Sequence, residues 1–166
     1  MVMKPLTADQ IRSSIVNASA AEIARMHLPG LHEVVWEERE LLGWRDPQGS
    51  QRGYIVQWVG DQPVGILLHA DSNSLRSGIG AMCSLCHTPQ PGTQVLMFSA
   101  ARGGESGREG NSVATYICAD LACSIMIRIF PGQSEMLLMR DELVARRSAG
   151  LQLRVGRFTD RILETA

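Results

Sequence analysis

The four cysteines of the chain fall into two close pairs. Cys83 and Cys86 are separated by two residues, and Cys118 and Cys123 are separated by four. Thiolates are the soft ligands of structural zinc, and a separation of two residues lets a tight turn direct both sulfurs of a pair at one ion. Because every cysteine belongs to a pair, the spacing predicts one structural Zn²⁺ bound by all four residues.

The segments around the pairs predict how these ligands are positioned. Residues 93–100 and Ser112–Cys118 are strand-like and lie between the pairs. Cys118 is therefore expected to end a strand, and Cys123 to lie near the first turn of a helix, where backbone N–H groups favour a thiolate. A knuckle, a hairpin and a helix start together make a treble-clef zinc finger. We expect the helix N-terminus and Arg128 to balance the negative charge of the zinc-bound thiolates.

Two other chemistries are compatible with the first pair. The segment from Cys83 to His87 satisfies the pattern for covalent attachment of haem, and a pair with two intervening residues also occurs in thiol-redox enzymes. Haem attachment normally takes place outside the cytoplasm and leaves the second pair unexplained. Redox pairs usually open a helix, whereas this pair precedes a proline-rich loop. We expect His87 to be a surface or neighbouring residue rather than a metal ligand.

Outside the cysteines, the sequence contains no pattern typical of a catalytic site. No serine lies in the glycine-flanked turn of a hydrolase nucleophile, and no histidine is spaced as the partner of a nucleophile. His27, His32 and His69 are scattered, without a facing metal ligand or catalytic partner. We therefore expect a binding protein rather than an enzyme, with no small-molecule substrate.

A glycine-rich segment, residues 102–110, connects the two strands between the cysteine pairs. It lacks the Gly-Lys-Ser/Thr ending of a phosphate-binding loop, and a connection between strands presents no helix N-terminus to a phosphate. We expect a mobile hairpin tip that buries little surface. Its arginines, Arg102 and Arg108, are candidates for contact with an acidic surface on a partner.

Capping signals predict two short N-terminal helices. Thr7 with Gln10 and Ser19 with Glu22 form capping boxes, which predict one helix over residues 8–16 and a second helix after the second box.

Residues 31–42 alternate glutamates with apolar residues, and this pattern favours a solvated acidic face beside a buried Trp36. Beyond them, branched and aromatic residues predict a β-hairpin with strands at 54–59 and 64–69.

The polar segment 71–80 predicts a connection between two lobes. We expect a helical and β-hairpin lobe over residues 1–75 and a treble-clef lobe with C-terminal helices over residues 76–166, integrated into one α+β domain. In the second lobe, the spacing predicts a helix over residues 119–129 and another that starts at Ser134 and is interrupted at Gly150. A terminal amphipathic helix is expected to bury Leu151, Val155, Phe158 and Ile162, which fall on one helical face.

The composition is that of a globular protein, with 45% hydrophobic and 20% charged residues among 166. Sixteen basic and 17 acidic residues leave a net charge of −1, which excludes a uniformly basic coat but not a local basic face. The first ten residues lack the apolar core of a signal peptide, and no apolar run exceeds four residues. We expect a cytoplasmic protein without a membrane-spanning segment.

Several of these segments resemble the FBP family, the treble-clef C-terminal domain of elongation factor G-binding proteins typified by FusB-type fusidic-acid-resistance proteins. The resemblance is carried by LLGWRDP at 41–47, RGY at 52–54, the first cysteine pair with His87-Thr88, and SVATYICADLACS at 112–124. The family's cysteine spacing binds zinc and matches Cys83, Cys86, Cys118 and Cys123 of this sequence.

The resemblance also implies a function. Resistance members bind elongation factor G and free it from ribosomes stalled by fusidic acid, and a helical domain precedes their zinc domain. Here only residues 1–28 are available for such helices, so the chain resembles a shorter, free-standing form. We expect it to bind a translation factor, most directly elongation factor G, and to modulate its release from the ribosome. The alternative is a zinc-stabilised protein that binds RNA or the ribosome without specificity for elongation factor G.

Overall fold

The computed structural model describes residues 2–71, 80–129 and 139–163. Over these ranges the chain forms five α-helices and seven β-strands, which confirms the α+β class. The helices are α1 (Ala8–Ser14), α2 (Ala20–Ala24), α3 (Gly104–Arg108), α4 (Cys123–Met126) and α5 (Arg140–Leu163). The strands are β1 (Leu42–Arg45), β2 (Arg52–Val59), β3 (Gln62–Ala70), β4 (Gly80–Met82), β5 (Pro89–Pro91), β6 (Val95–Ala101) and β7 (Ser112–Cys118). None of the described helices is long and apolar enough to cross a membrane.

Five strands form one antiparallel sheet in the order β1-β2-β3-β6-β7, and β4 pairs separately with β5. β2 and β3 make the predicted hairpin, in which every residue from Arg52 to Val59 has a partner. The turn contains Gly60, whose φ of 62° suits glycine. β3 continues into β6 through pairs that include Ala70 with Phe98. The sheet thus runs from the hairpin into β6 and β7, and β7 ends at Cys118.

Side chains of β2 and β3 alternate between two hydrophobic cores, as the two-residue period of a strand requires. The first core contains Ile11, Trp44, Tyr54, Val56 and Leu67. The second contains Ile55, Ile66, Leu68, Phe98, the four cysteines and the buried face of α5. The sheet therefore lies between the N-terminal helices and the core that surrounds the cysteines.

The two capping boxes are present, and α1 and α2 begin where they predict. α1 ends two residues earlier than expected. Ile15 is extended, with φ −69° and ψ 121°, and forms an isolated bridge with Gly65. Val16 N–H then donates to the Gly65 carbonyl at 3.0 Å. Pairing with β3 therefore replaces the last turn of the predicted helix.

Helix α5 is continuous through Gly150, so the predicted interruption is wrong. A glycine inside a helix costs only about 0.5–1 kcal/mol. The predicted apolar face is confirmed, because Leu151, Val155, Phe158 and Ile162 are all buried in the second core. Burial of these four side chains outweighs the cost of the glycine. The helix start predicted at Ser134 and most of the connection predicted over residues 71–80 lie outside the described residues.

Residues 31–42 form two short 3₁₀ turns and the start of β1. The predicted acidic face is exposed at Glu33, Glu37 and Glu38, but Trp36 is only half-buried. Glu40 departs from the expected pattern, since it is buried at 6% exposure.

Candidate metal centre

The four cysteine side chains meet in one buried cluster. Their Sγ atoms all lie within 4.8 Å of one another, with Cys83 Sγ 3.7 Å from Cys123 Sγ and Cys86 Sγ 3.5 Å from Cys118 Sγ. Sulfurs at the corners of a zinc tetrahedron are about 3.8 Å apart, since each Zn–S bond measures about 2.3 Å. The sulfurs are too far apart for disulfide bonds, which measure about 2.05 Å. Size, burial and donor chemistry therefore fit tetrahedral zinc.

Regular structure positions each pair as the sequence predicts. Cys83 follows β4 and Cys86 precedes β5, so the first pair lies in the turn between these strands. Cys118 is the last residue of β7, and Cys123 is the first residue of α4. A knuckle, the β6–β7 hairpin and a helix start follow one another along the chain. This order confirms the treble clef.

Each knuckle is closed by a residue with left-handed backbone. His87 has φ 53° and donates its N–H to the Cys83 carbonyl at 3.0 Å, and Leu121 has φ 58° and donates to the Cys118 carbonyl at 2.9 Å. Because Leu121 cannot be helical at this φ, α4 begins only at Cys123, and the predicted start of the helix at residue 119 is wrong. The His87 side chain is exposed and does not belong to the cysteine cluster, as expected.

Hydrogen-bond donors point at the sulfurs from within the first knuckle and from β5. The backbone N–H groups of Leu85 and Cys86 donate to Cys83 Sγ at 3.4 and 3.5 Å. Gln90, which is buried, donates from Nε2 to Cys118 Sγ at 3.2 Å. Such donors orient metal ligands and stabilise thiolate charge. Sequence reasoning missed Gln90, because its partner lies on a distant strand and no local pattern marks it.

Contacts among the four thiols shift their pKa values in opposite directions. Hydrogen bonding with Cys118 lowers the pKa of Cys86. The same kind of contact with Cys118 raises the pKa of Cys123 well above its ordinary value. Burial and the neighbouring thiols thus oppose ionisation of Cys123, and a bound cation favours the thiolate form. Zinc binding consequently displaces protons from the cluster.

Arg128 does not take the role predicted for it. Its Nη1 and Nη2 each donate to one carboxylate oxygen of Glu40 at 2.8 Å, and Nη1 also donates to the Ser124 carbonyl. Ser148 on α5 donates to the same carboxylate at 2.7 Å. Burial raises the pKa of Glu40, but the hydrogen bonds from Arg128 and Ser148 outweigh it and hold the pKa below its ordinary value. Arg128 thus compensates a buried glutamate, and Glu40 in turn links Arg128 to α5.

The second knuckle rests directly on the sheet. Arg45 Nη1 donates to the Ala119 carbonyl at 2.8 Å. A Cβ added to Gly43 would meet the Leu121 carbonyl at 2.2 Å, and one added to Gly53 would meet Leu121 Cδ1 at 2.5 Å. Gly43 and Gly53 therefore leave room for Leu121 of the second knuckle, which a side chain at either position would displace.

Arg102 and Arg108 lie away from the cysteines, at the far end of the β6–β7 hairpin. The segment between them contains α3 rather than a mobile tip, and Gly103 N–H donates to the Ile162 carbonyl of α5 at 2.9 Å. With Glu22 of α2, the two arginines line a cleft, in which Arg108 is exposed and Arg102 half-buried. The tip therefore contacts α5 and faces α2 across the cleft.

His27 has a partner that the sequence did not predict. Its Nδ1 lies 3.1 Å from Oδ1 of the fully buried Asp46, and its backbone N–H donates to Oδ2 at 3.2 Å. Gln48 N–H and the Arg52 guanidinium also face this carboxylate. Burial raises the pKa of Asp46, but these hydrogen bonds and charges lower it below its ordinary value. The group anchors the N-terminal segment to the β1–β2 connection.

Comparison with known proteins identifies the family to which this fold belongs. The family model for the FBP C-terminal treble-clef zinc-finger matches residues 10–162. The structure of the fusidic acid resistance protein FusC is similar, with a TM-score of 0.57 and 17% sequence identity, over 86% of this chain and 60% of the FusC chain. At that identity the likeness shows a shared fold, and the match spans only 60% of the length of FusC. A search of curated proteins gave no match. The chain therefore belongs to the FBP C-terminal treble-clef zinc-finger family, with one structural zinc site formed by its four cysteines.

Proposed function

We propose that the protein binds a translation factor, elongation factor G in the first instance, and modulates its release from the ribosome. The observation that carries this proposal is the family match over residues 10–162, together with a fold shared with a fusidic acid resistance protein. Family resemblance supplies the identity of the factor.

We further propose that the protein is a binding module and not an enzyme. All four positions of a zinc tetrahedron are filled by cysteines that are at most 3% exposed. A catalytic zinc keeps one position open for water or substrate. The closed site supports a structural role, in which the metal fixes the β6–β7 hairpin and α4 as a rigid surface for a partner.

Arg102 and Arg108 are the proposed contact residues on that surface. They lie where the hairpin meets α3, and Arg108 is exposed. Guanidinium groups at such a position suit carboxylates on an acidic partner surface.

Calorimetric titration of elongation factor G with the zinc-loaded protein tests the proposal. Wild-type protein should bind saturably, and Arg102→Glu/Arg108→Glu should weaken binding by about 1–3 kcal/mol. Arg25→Glu/Arg157→Glu is the matched control, since both residues are exposed and the charge change is equal. Zinc content and melting temperature verify that each variant is folded. No binding by the wild-type protein overturns the function, whereas equal affinity of the two variants overturns only the arginine surface.

A further inference from the structure

A groove of 210 Å³ separates α5 from the first zinc knuckle and is lined by three arginines. Arg146, Arg147 and Arg154 lie on the helical side, and residues 86–89 form the opposite side. The arginines are four and three residues before Gly150 and four residues after it, so they share one helical face with this glycine. Among the described residues that line the groove, none is acidic.

Two of the three guanidinium groups are anchored to the backbone of the zinc lobe. Arg154 Nε donates to the Leu85 carbonyl at 2.5 Å, and Arg147 Nη1 donates to the Ile127 carbonyl at 3.2 Å. Arg146 is exposed. Because the anchored side chains are already ordered, a ligand that pairs with them loses less conformational entropy.

Gly150 forms the floor of the groove. A Cβ added at this position would stand 2.9 Å from both Nη1 and Nη2 of Arg154. The glycine therefore leaves the space beside the helix that the Arg154 guanidinium occupies.

Cys86 also contributes to the groove wall, so part of this positive charge faces the cysteine cluster. Arg154, however, donates to a carbonyl and not to a sulfur. Helix α5 also carries six arginines against three acidic residues, an excess that extends beyond the residues beside the cluster. The groove therefore retains positive charge for an external anion.

We propose that this groove binds the phosphate backbone of RNA. Planar guanidinium forks pair with phosphate oxygens in a bidentate manner. The groove contains no large exposed apolar side chain among its described residues, whereas a protein interface usually has an apolar or aromatic centre. The choice of RNA over DNA rests on the proposed function in translation. The site itself is independent of any contact with elongation factor G.

The first test uses Gly150→Ala and fluorescence anisotropy with a labelled single-stranded RNA. The new methyl group displaces the Arg154 guanidinium, while alanine favours the helix more than glycine does. We expect RNA affinity to fall roughly threefold or more through loss of one charge-assisted contact. Zinc content should be unchanged and the melting temperature close to that of the wild-type protein, because the gain in helix propensity offsets the lost hydrogen bond to the Leu85 carbonyl. Gly156→Ala is the matched control, because its added Cβ meets nothing within 4 Å on the same helix.

A second variant, Arg146→Gln/Arg154→Gln, tests the charges. The slope of log affinity against log salt should become shallower by about 1.4, since each phosphate neutralised on a single strand contributes about 0.7.

No RNA binding by the wild-type protein, or equal losses in the two glycine variants, would overturn the proposal that the groove binds RNA. Equal affinity for a polyglutamate peptide would show an acidic protein ligand, and equal affinity for DNA of the same sequence would contradict the choice of RNA. Titration of elongation factor G in parallel distinguishes failure of the translation-factor proposal from failure of this one.

Discussion

The carbonyl oxygen of Leu121 lies against the backbone of Gly43, where a side chain at position 43 would begin. A Cβ built there would be 2.2 Å from that oxygen. Leu121 closes the second zinc knuckle, and Gly43 belongs to β1 at the edge of the sheet. The zinc site and the sheet are therefore in direct contact.

Gly43→Ala should destabilise the protein, because the clash involves backbone on both sides and cannot be relieved by rotating a side chain. We expect the free energy of unfolding to fall by about 1–3 kcal/mol, as in other overpacked sites. Urea denaturation measures this change. Gly80→Ala is the control, since Gly80 also lies in a strand and its added Cβ meets nothing within 4 Å. Equal denaturation midpoints for the two variants would contradict the proposed contact.

Contacts of this kind explain which parts of the structure the sequence could predict. The cysteine spacing, the capping boxes of α1 and α2 and the β2–β3 hairpin are local patterns, and each predicted its element. Strand β1 was missed because it has only four residues and includes Gly43. The position of β1 is determined by its pairing with β2 and its contact with Leu121. No local pattern in the sequence indicates either of these contacts.

The same limit applies to the polar groups around the site. The sequence predicts that Arg128 helps to balance the thiolate charge, but both of its terminal nitrogens bind the buried Glu40. The sequence pattern places Glu40 with the other glutamates of residues 31–42, on the solvated face. Only the folded chain brings α4, α5 and residue 40 together, so their charge pairing could not be predicted from spacing.

Gln90→Leu should weaken zinc binding without removing a ligand. The substitution deletes the donor to Cys118 Sγ, and loss of such a contact typically reduces metal affinity by about 10–100-fold. Competition with a chromogenic chelator measures the affinity. Gln94→Leu, at an exposed position, is the matched control. If both variants held zinc as tightly as the wild-type protein, the hydrogen bond from Gln90 would have no role at the metal.

Glu40→Gln should destabilise the protein in a pH-dependent manner. The substitution leaves Arg128 without a counter-charge in a largely buried position, which costs about 3 kcal/mol or more. The folded pKa of Glu40 lies below its ordinary value of 4.5, so its ionised form stabilises the fold above that pH, and this contribution disappears as the pH falls through the lowered pKa. The difference between wild-type protein and variant should therefore be large at neutral pH and shrink in acid.

Urea denaturation at several pH values tests this dependence on Glu40. The control is Glu37→Gln, which changes the charge at an exposed site nearby and should have little effect at any pH. A destabilisation by Glu40→Gln that stayed constant down to acid pH would show that packing, and not the charge pair, is responsible.

Cys123→Ser should unfold the zinc lobe, because binding energy at a structural zinc site is also folding energy. The side chain is fully buried and begins α4, so its loss affects both the metal and the helix. Thermal denaturation should show a lower melting temperature than for the wild-type protein. A strong chelator should lower the wild-type melting temperature towards that of the variant and leave the variant unchanged. An unaltered melting curve in Cys123→Ser would contradict the structural role of the metal.

X-ray absorption at the zinc edge, combined with metal analysis of the purified protein, tests the central claim most directly. The account predicts about one zinc per chain surrounded by four sulfurs at roughly 2.3 Å. Nitrogen or oxygen in the first shell, covalently attached haem, or a folded protein without metal would contradict a zinc site made by Cys83, Cys86, Cys118 and Cys123.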